Sequence, residues 1–164
     1  MPLYLLQIKS DLENIARLVP SLGNEQWRIT LIVGCQGDED TTKEITIDMT
    51  DEKEELDGGG KADAAFTFIK GQPKAHITIV NVKKVTGTYS DTDAGKYHTV
   101  LGLECRGCVP KEWLLGTEFN AITSNDKVFS MIDLSDKDGW YDYDEDNDCS
   151  VSVQNFEYKF ELSR

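Results

Sequence analysis

The sequence is poor in the residues that build membrane spans, disulfide frameworks and metal clusters. Its 164 residues include only four cysteines, two histidines and four prolines. No run approaches the ~20 apolar residues that a membrane helix needs, and the short apolar start lacks the basic residues and cleavage site of a signal peptide. Four cysteines are too few for a secreted disulfide scaffold. We therefore expect a cytosolic protein, with or without a nuclear fraction, that does not bind membranes.

Basic residues are also in short supply. The sequence has 17 Lys and Arg residues and 30 Asp and Glu residues, which gives a net charge of −13. Most of the excess lies in two segments, because residues 38–57 carry a net −8 and residues 133–148 a net −7. Nucleic acid and anionic lipid would be repelled by such a protein at long range. We therefore expect no nucleic-acid partner.

Alternation of apolar and polar residues is the dominant pattern and predicts strands. In residues 44–49, for example, Ile45, Ile47 and Met49 share one face, while Glu44 and Asp48 lie on the other. β-Branched and aromatic residues fill these runs, as a half-buried sheet requires. The pattern predicts strands over residues 3–8, 27–33, 44–49, 64–69, 75–82, 97–104, 127–134 and 151–162. We expect a single all-β domain over residues 1–164, built as a β-sandwich or barrel-like fold.

The apolar residues of the last predicted strand switch parity part-way along its length. Val151 and Val153 are at odd positions, whereas the apolar residues at 156, 158, 160 and 162 are at even positions. A parity switch within one strand is typical of an inserted residue. The sequence therefore predicts a β-bulge near Gln154 or Asn155.

Helical periodicity is confined to residues 10–18. Ser10 stands at the position of an N-cap, and Glu13 follows three residues later, as in a capping box. Pro20 would end the helix. We predict at most one short helix or turn near residues 10–18.

A weak internal repeat relates the two halves of the chain. At an offset of 70 residues, two apolar runs each end in Cys-X-Gly, at Cys35 and at Cys105. This similarity predicts two pseudo-symmetric β halves, residues 1–90 and 91–164. Chance resemblance between β-rich segments is the alternative.

The cysteines include a single CxxC motif, Cys105 to Cys108. A closed zinc site needs four ligands, usually from two such pairs, and here Cys35 and Cys149 each stand alone. A redox CxxC normally begins a helix beside a parallel sheet, whereas Cys105 follows a predicted strand. Three interpretations stay open: structural cysteines, a zinc or copper site using Cys35, Cys105 and Cys108, and a redox pair formed by Cys105 and Cys108.

The second acidic segment contains three aromatic residues. An EF-hand loop beginning at Asp142 would need Gly and Glu where Asn147 and Val153 stand. A solvated loop, weak cation binding and an acidic docking surface are the interpretations. Exposed aromatic residues tend to anchor interfaces, which favours docking. The candidate interaction residues are Trp140, Tyr141, Asp142, Tyr143, Asp144 and Glu145.

No set of residues in the sequence indicates catalysis. The glycine-rich residues 57–62 lack the first glycine and the Ser or Thr of a phosphate-binding loop, and residues 51–57 include five acidic residues that would repel phosphate. His76 and His98 lie within predicted strands and are expected to be partly exposed. We therefore expect that the protein is not an enzyme.

Several short motifs, each present once, follow one another along the whole chain. They are LENI at residues 12–15, the glycine turn at 58–61, ECRG at 104–107 with Pro110, FSMIDL at 129–134, and WYDYDE at 140–145. Together they resemble the eukaryotic CXXC-motif-containing zinc-binding protein family, a family of unknown function. The resemblance covers essentially all 164 residues.

The family typically carries two CXXC pairs that form one zinc site, and the resemblance places them around residues 34–37 and 68–71. Only Cys35 stands in the first stretch and no cysteine stands in the second. Cys105 matches a family cysteine outside the zinc site, and Cys108 is not part of the pattern. The resemblance therefore implies an all-β fold with two pseudo-symmetric halves, and a member without its zinc cofactor.

The leading hypothesis is a monomeric, non-enzymatic, acidic β-protein that acts through contact with a partner protein. The rival hypothesis is a metal-binding or redox protein that uses Cys105 and Cys108.

Overall fold

The computed structural model describes residues 2–163 and is built from β-strands. The fifteen strands are β1 (Leu3–Glu13), β2 (Arg17–Pro20), β3 (Arg28–Cys35), β4 (Asp38–Asp48), β5 (Glu54–Glu55), β6 (Lys61–Ala62), β7 (Ala64–Phe66), β8 (Ala75–Val80), β9 (Tyr89–Ser90), β10 (His98–Arg106), β11 (Cys108–Trp113), β12 (Phe119–Ile122), β13 (Val128–Ile132), β14 (Trp140–Asp144) and β15 (Cys149–Ser163). A single 3-10 turn spans Asp91–Asp93. The all-β prediction is confirmed. No helix within residues 2–163 has the length and apolar character to cross a membrane.

The strands form four antiparallel sheets. The largest has the order β14-β15-β1-β10-β8-β7, and the others have the orders β13-β12-β2-β9, β11-β3-β4 and β5-β6. The curled sheets together form a half-barrel. β1 pairs with β15 along one edge and with β10 along the other, and the face that carries Leu6, Ile8 and Ser10 is buried.

The hydrophobic core lies between the curled sheets and has an aromatic centre. The ring of Phe119 packs against Trp27, Trp113 and Phe156 with centroid distances of 5.4, 5.9 and 5.9 Å. Aromatic pairs of this kind contribute about 0.5–1.5 kcal/mol each beyond the burial of their surface. Since Trp113, Phe119 and Phe156 lie on strands of three different sheets, the core joins these sheets.

The predicted bulge in the last strand is confirmed. Along the ladder between β1 and β15, Lys9 pairs with Glu157 and Asp11 pairs with Gln154. One residue of β1 therefore faces two residues of β15, and one of these, Asn155, has a φ of 54°. The extra residue offsets the change of parity, because Val153, Tyr158 and Phe160 are the ladder partners of Leu12, Ile8 and Leu6, which share one face of β1. The apolar residues on both sides of the bulge therefore face the same side of the sheet.

Of the short helix or turn predicted near residues 10–18, the structure has a bend and no helix. β1 continues to Glu13, Asn14 turns the chain with a φ of 54°, and β2 follows. Ser10 is buried in the strand, where its backbone N–H donates to the hydroxyl of Tyr89 at 3.0 Å. Pairing with two neighbouring strands outweighs a local capping pattern, because helix propensity is a weak preference.

Candidate functional site

The CxxC motif lies where the chain passes from one sheet to another. Cys105 is near the end of β10 in the largest sheet, and Cys108 begins β11 in the three-stranded sheet. Gly107 makes the connection with a φ of 76°, in the left-handed region that favours glycine. Cys105 and Cys108 are 1% and 3% exposed, so both thiols face the protein interior.

The two buried thiols have different proton affinities. The interaction with the Cys108 side chain, followed by burial, raises the pKa of Cys105 far above that of an ordinary thiol. The same interaction lowers the pKa of Cys108. The Cys108 thiol also lies 3.9 Å from the carbonyl oxygen of His76. Of the two, Cys108 is therefore the first to ionise.

Cys35 is the partly exposed cysteine of this region. It ends β3 and is the direct ladder partner of Cys108. The Cys35 thiol points to the carbonyl oxygen of Gln36 at 3.7 Å. Cys35 lines a cleft of about 690 Å³, together with Lys74, Arg106 and the glycine loop at residues 58–59. The structure thus brings Cys35 close to the CxxC motif, whereas Cys149 lies on β15 in another part of the fold.

The acidic segment that sequence analysis selected forms an edge strand and a turn. β14 is at the end of the largest sheet, and β15 is its neighbour in the ladder. Tyr141 and Tyr143 face outward with 59% and 45% exposure. Asp142 and Glu145 are also exposed.

Two of the six candidate interaction residues point inward instead. The ring of Trp140 packs against Phe129 with a centroid distance of 5.3 Å. The side chain of Asp144 is 1% exposed and lies 3.3 Å from the ammonium group of Lys127. These two residues hold the hairpin in place, and the other four form the accessible surface.

Asp144 organises the turn between β14 and β15. Its carboxylate accepts a hydrogen bond from the side-chain amide of Asn147 at 2.7 Å and another from the Asp146 backbone at 3.1 Å. Hydrogen bonding to Asn147 and the charge of Lys127 hold the pKa of Asp144 below its ordinary value. The sequence contains a signal for this role, because Asp side chains in turns commonly accept the backbone N–H two residues on, as Asp144 does from Asp146.

The remaining sequence candidates do not form a site. His76 lies on β8 with its side chain half-buried, and Ile77 and Ile79 face the core, as the alternation predicts. His98 lies 3.9 Å from the carboxylate of Asp93 at the surface. The glycine-rich residues 58–60 form a turn before β6.

The comparison with protein families agrees with the motif order. Residues 5–161 match the family described as "CXXC motif containing zinc binding protein, eukaryotic". The chain belongs to this family. A relative from Bos taurus named "CXXC motif containing zinc binding protein" is 30% identical over 156 residues, which cover 94% of this chain and 95% of the relative. A UPF0587 protein from Drosophila melanogaster is 29% identical over 159 residues, covering 94% of both chains.

Solved structures show the same fold. The crystal structure of C1orf123 superimposes with a TM-score of 0.83 at 27% identity, covering 98% of this chain and 99% of that one. A hypothetical protein from Plasmodium falciparum has a TM-score of 0.85 at 24% identity, covering 98% of this chain and all of its own. The curled all-β architecture is therefore shared with both of these solved structures.

The family's description implies zinc, and the residues of this chain do not fit that ion. Cys35 and Phe68, from the two stretches where the resemblance places the CXXC pairs, line the same cleft. A structural zinc ion needs four nitrogen, sulfur or carboxylate ligands around one point. Within residues 2–163, no three His, Cys, Asp or Glu side chains are gathered in that way. The function proposed below is therefore derived without zinc.

Proposed function

We propose that this protein acts by binding a partner protein through the β14 surface, which we define as Tyr141, Asp142, Tyr143 and Glu145, and that it has no catalytic role. The observation that carries the proposal is the pair of exposed tyrosine rings on an edge strand, surrounded by carboxylates. Large aromatic side chains with so much accessible area are the residues that most often dominate binding energy at protein interfaces.

The β14 surface is held in a defined conformation before any partner arrives. The hydroxyl of Tyr143 donates a hydrogen bond to the carboxylate of Asp148, and this bond raises the pKa of Tyr143. The turn next to it is fixed by Asp144 and Lys127. A rigid aromatic contact loses little conformational entropy on binding, so more of the interaction energy appears as affinity.

The charge of the segment indicates the chemistry of the partner. Residues 133–148 carry a net charge of −7. Lys127 forms ion pairs with both Asp144 and Asp146. A partner segment rich in Lys and Arg would meet complementary potential and be steered to the surface. The carboxylate of Asp142 accepts the backbone N–H of Tyr143 at 2.7 Å. That contact occupies part of the strand edge, so side chains rather than an added strand would carry recognition.

The test compares capture of partners by two tyrosine variants. Three proteins are immobilised at equal density and exposed to cell extract. They are wild type, a double variant with Tyr141→Ala and Tyr143→Ala, and a Tyr97→Ala control. Tyr97 is 38% exposed and lies outside the β14 surface, so it matches the substitution without touching the proposed site.

We expect wild type and Tyr97→Ala to capture basic proteins that the double variant does not capture. Added salt should release these proteins. Purified candidates are then titrated against the three proteins. Equal affinity of every captured protein for the double variant and wild type, with both folded by circular dichroism, would contradict the proposal.

A second candidate function is metal or redox chemistry at Cys105 and Cys108. The interaction between their thiols favours it, and thiolate ligands suit copper(I) as well as zinc. A stoichiometric metal ion in the purified protein, lost on Cys105→Ser, would support this function over protein binding.

A further inference from the structure

Cys35 and Cys108 are directly opposite each other on neighbouring strands. β3 and β11 are antiparallel, and the ladder pairs Cys35 with Cys108, Gly34 with Val109, and Val33 with Pro110. The side chains of residues that face each other in a ladder project from the same side of the sheet. The two thiols are therefore attached to the same face.

The hydrogen-bond pattern determines how close this pair can come. Gln36 donates its backbone N–H to the carbonyl of Gly107 at 3.1 Å, one position beyond the cysteines. Pro110, which has no N–H, stands two positions past Cys108. Since hydrogen-bonded and non-hydrogen-bonded pairs alternate, Cys35 and Cys108 form a non-hydrogen-bonded pair, in which Cα atoms are about 4.5 Å apart. That separation lies within the range of about 4.4–6.8 Å found for disulfides.

Access distinguishes this pair from the CxxC pair. Cys105 and Cys108 are both buried, so an oxidant dissolved in water cannot reach either sulfur in the folded protein. Cys35 is partly exposed and lines the cleft of about 690 Å³. Lys74 and Arg106 line the same cleft and would attract an anionic reagent.

We propose that Cys35 and Cys108 form a reversible disulfide, made through a mixed disulfide on Cys35 with an anionic small-molecule disulfide such as oxidised glutathione. This inference is independent of the β14 surface. In the first step the Cys35 thiolate attacks one sulfur of oxidised glutathione and releases one glutathione thiolate. In the second step the Cys108 thiolate attacks the Cys35 sulfur, and the second glutathione thiolate leaves. The two released thiolates take up the two protons of the cysteines, so the two protein thiols are oxidised and one glutathione disulfide is reduced.

The resulting bond is expected to be reducible in the folded protein, because Cys35 is partly exposed and lines the cleft, where a dissolved thiol can reach its sulfur. The disulfide would covalently link the end of β3 to the start of β11, beside the cleft.

Trypsin separates the relevant cysteines onto different peptides, which makes the test unambiguous. Cleavage after Arg28, Lys43, Lys96, Arg106 and Lys111 places Cys35 in residues 29–43, Cys105 in residues 97–106 and Cys108 in residues 107–111. The reduced full-length protein is treated with oxidised glutathione, its free thiols are blocked with iodoacetamide, and the peptides are identified by mass spectrometry.

We expect a disulfide between peptides 29–43 and 107–111 in wild type, in Cys105→Ser and in the control Cys149→Ser. The variant Cys108→Ser should stop with glutathione attached to Cys35, and Cys35→Ser should show neither product while folded. A disulfide between peptides 97–106 and 107–111 would overturn the proposal. So would the absence of any disulfide in wild-type protein whose circular dichroism shows it to be folded.

Discussion

At the scale of single residues, Tyr89 joins distant parts of the chain through one hydroxyl group. Its side chain is completely buried. The hydroxyl oxygen accepts the backbone N–H of Ser10 at 3.0 Å and lies 2.9 and 2.8 Å from the carbonyl oxygens of Asp93 and Lys96. Burial raises the pKa of Tyr89, so the hydroxyl stays a neutral donor. Without it, a buried backbone N–H in the central strand would have no partner.

We predict that Tyr89→Phe lowers the free energy of unfolding by about 1–3 kcal/mol, because a buried donor left unpaired costs that much. Urea denaturation of the variant and wild type measures the difference. Tyr141→Phe is the matched control, since its ring is exposed and should leave stability unchanged. Equal midpoints for Tyr89→Phe and wild type would show that the hydroxyl does not contribute.

At the scale of elements, the hairpin of β14 and β15 depends on a buried carboxylate rather than on its apolar residues alone. Asp144 accepts hydrogen bonds within the turn and pairs with Lys127, the residue just before β13. It therefore ties the edge strand of one sheet to the beginning of an edge strand in another. The exposed tyrosines of β14 keep their positions because this inward-facing residue is held.

The lowered pKa of Asp144 predicts that the stability of the folded protein depends on pH. Its pKa in the folded protein is below the ordinary 3.8. An acid of this kind stabilises the fold at pH values above its unfolded pKa, and the contribution is lost as the pH falls through the folded pKa. We expect Asp144→Asn to melt below wild type at pH 7, and the gap to narrow below pH 3.8.

Melting temperatures between pH 7 and pH 3 test this expectation. Asp142→Asn is the control, because its exposed side chain retains an oxygen that can accept the Tyr143 N–H. A gap between Asp144→Asn and wild type that stays constant over the whole range would contradict an electrostatic role for Asp144.

At the scale of the whole molecule, we expect packing rather than a metal ion to account for the stability of the fold. The buried core includes Trp27, Trp113 and Phe119 and draws on the three larger sheets. A chain of this length buries roughly 70% of its unfolded surface, which is enough for independent folding. The family's zinc would add stability only if ligands bound it, and the side chains near Cys35 do not form such a set.

We therefore predict that protein purified without chelator carries less than stoichiometric zinc, and that excess EDTA leaves its melting temperature unchanged. A ligand that binds only the folded state stabilises it, so removing a bound ion would lower the melting temperature. Elemental analysis combined with thermal unfolding measures both quantities. One zinc ion per chain, with a lower melting temperature after EDTA, would contradict the prediction.

The sequence by itself determined the properties that local patterns encode. Alternation along each run predicted the all-β class, and the change of parity after Val153 predicted the bulge found at Asn155. The order of short motifs led to the family that the comparison confirms. The division into two pseudo-symmetric halves stays a prediction. Local patterns sufficed for these features because the side-chain period of a strand depends only on its own backbone.

Only the tertiary structure decided which residues face one another. Strand pairing placed Ser10 inside a sheet rather than in a helix, turned Asp144 inward while Tyr143 faces solvent, and set Cys35 opposite Cys108. Each of these outcomes depends on a partner strand that is distant in the sequence. Pairing between such strands is governed by how the whole chain buries its apolar faces, so no local pattern contains it.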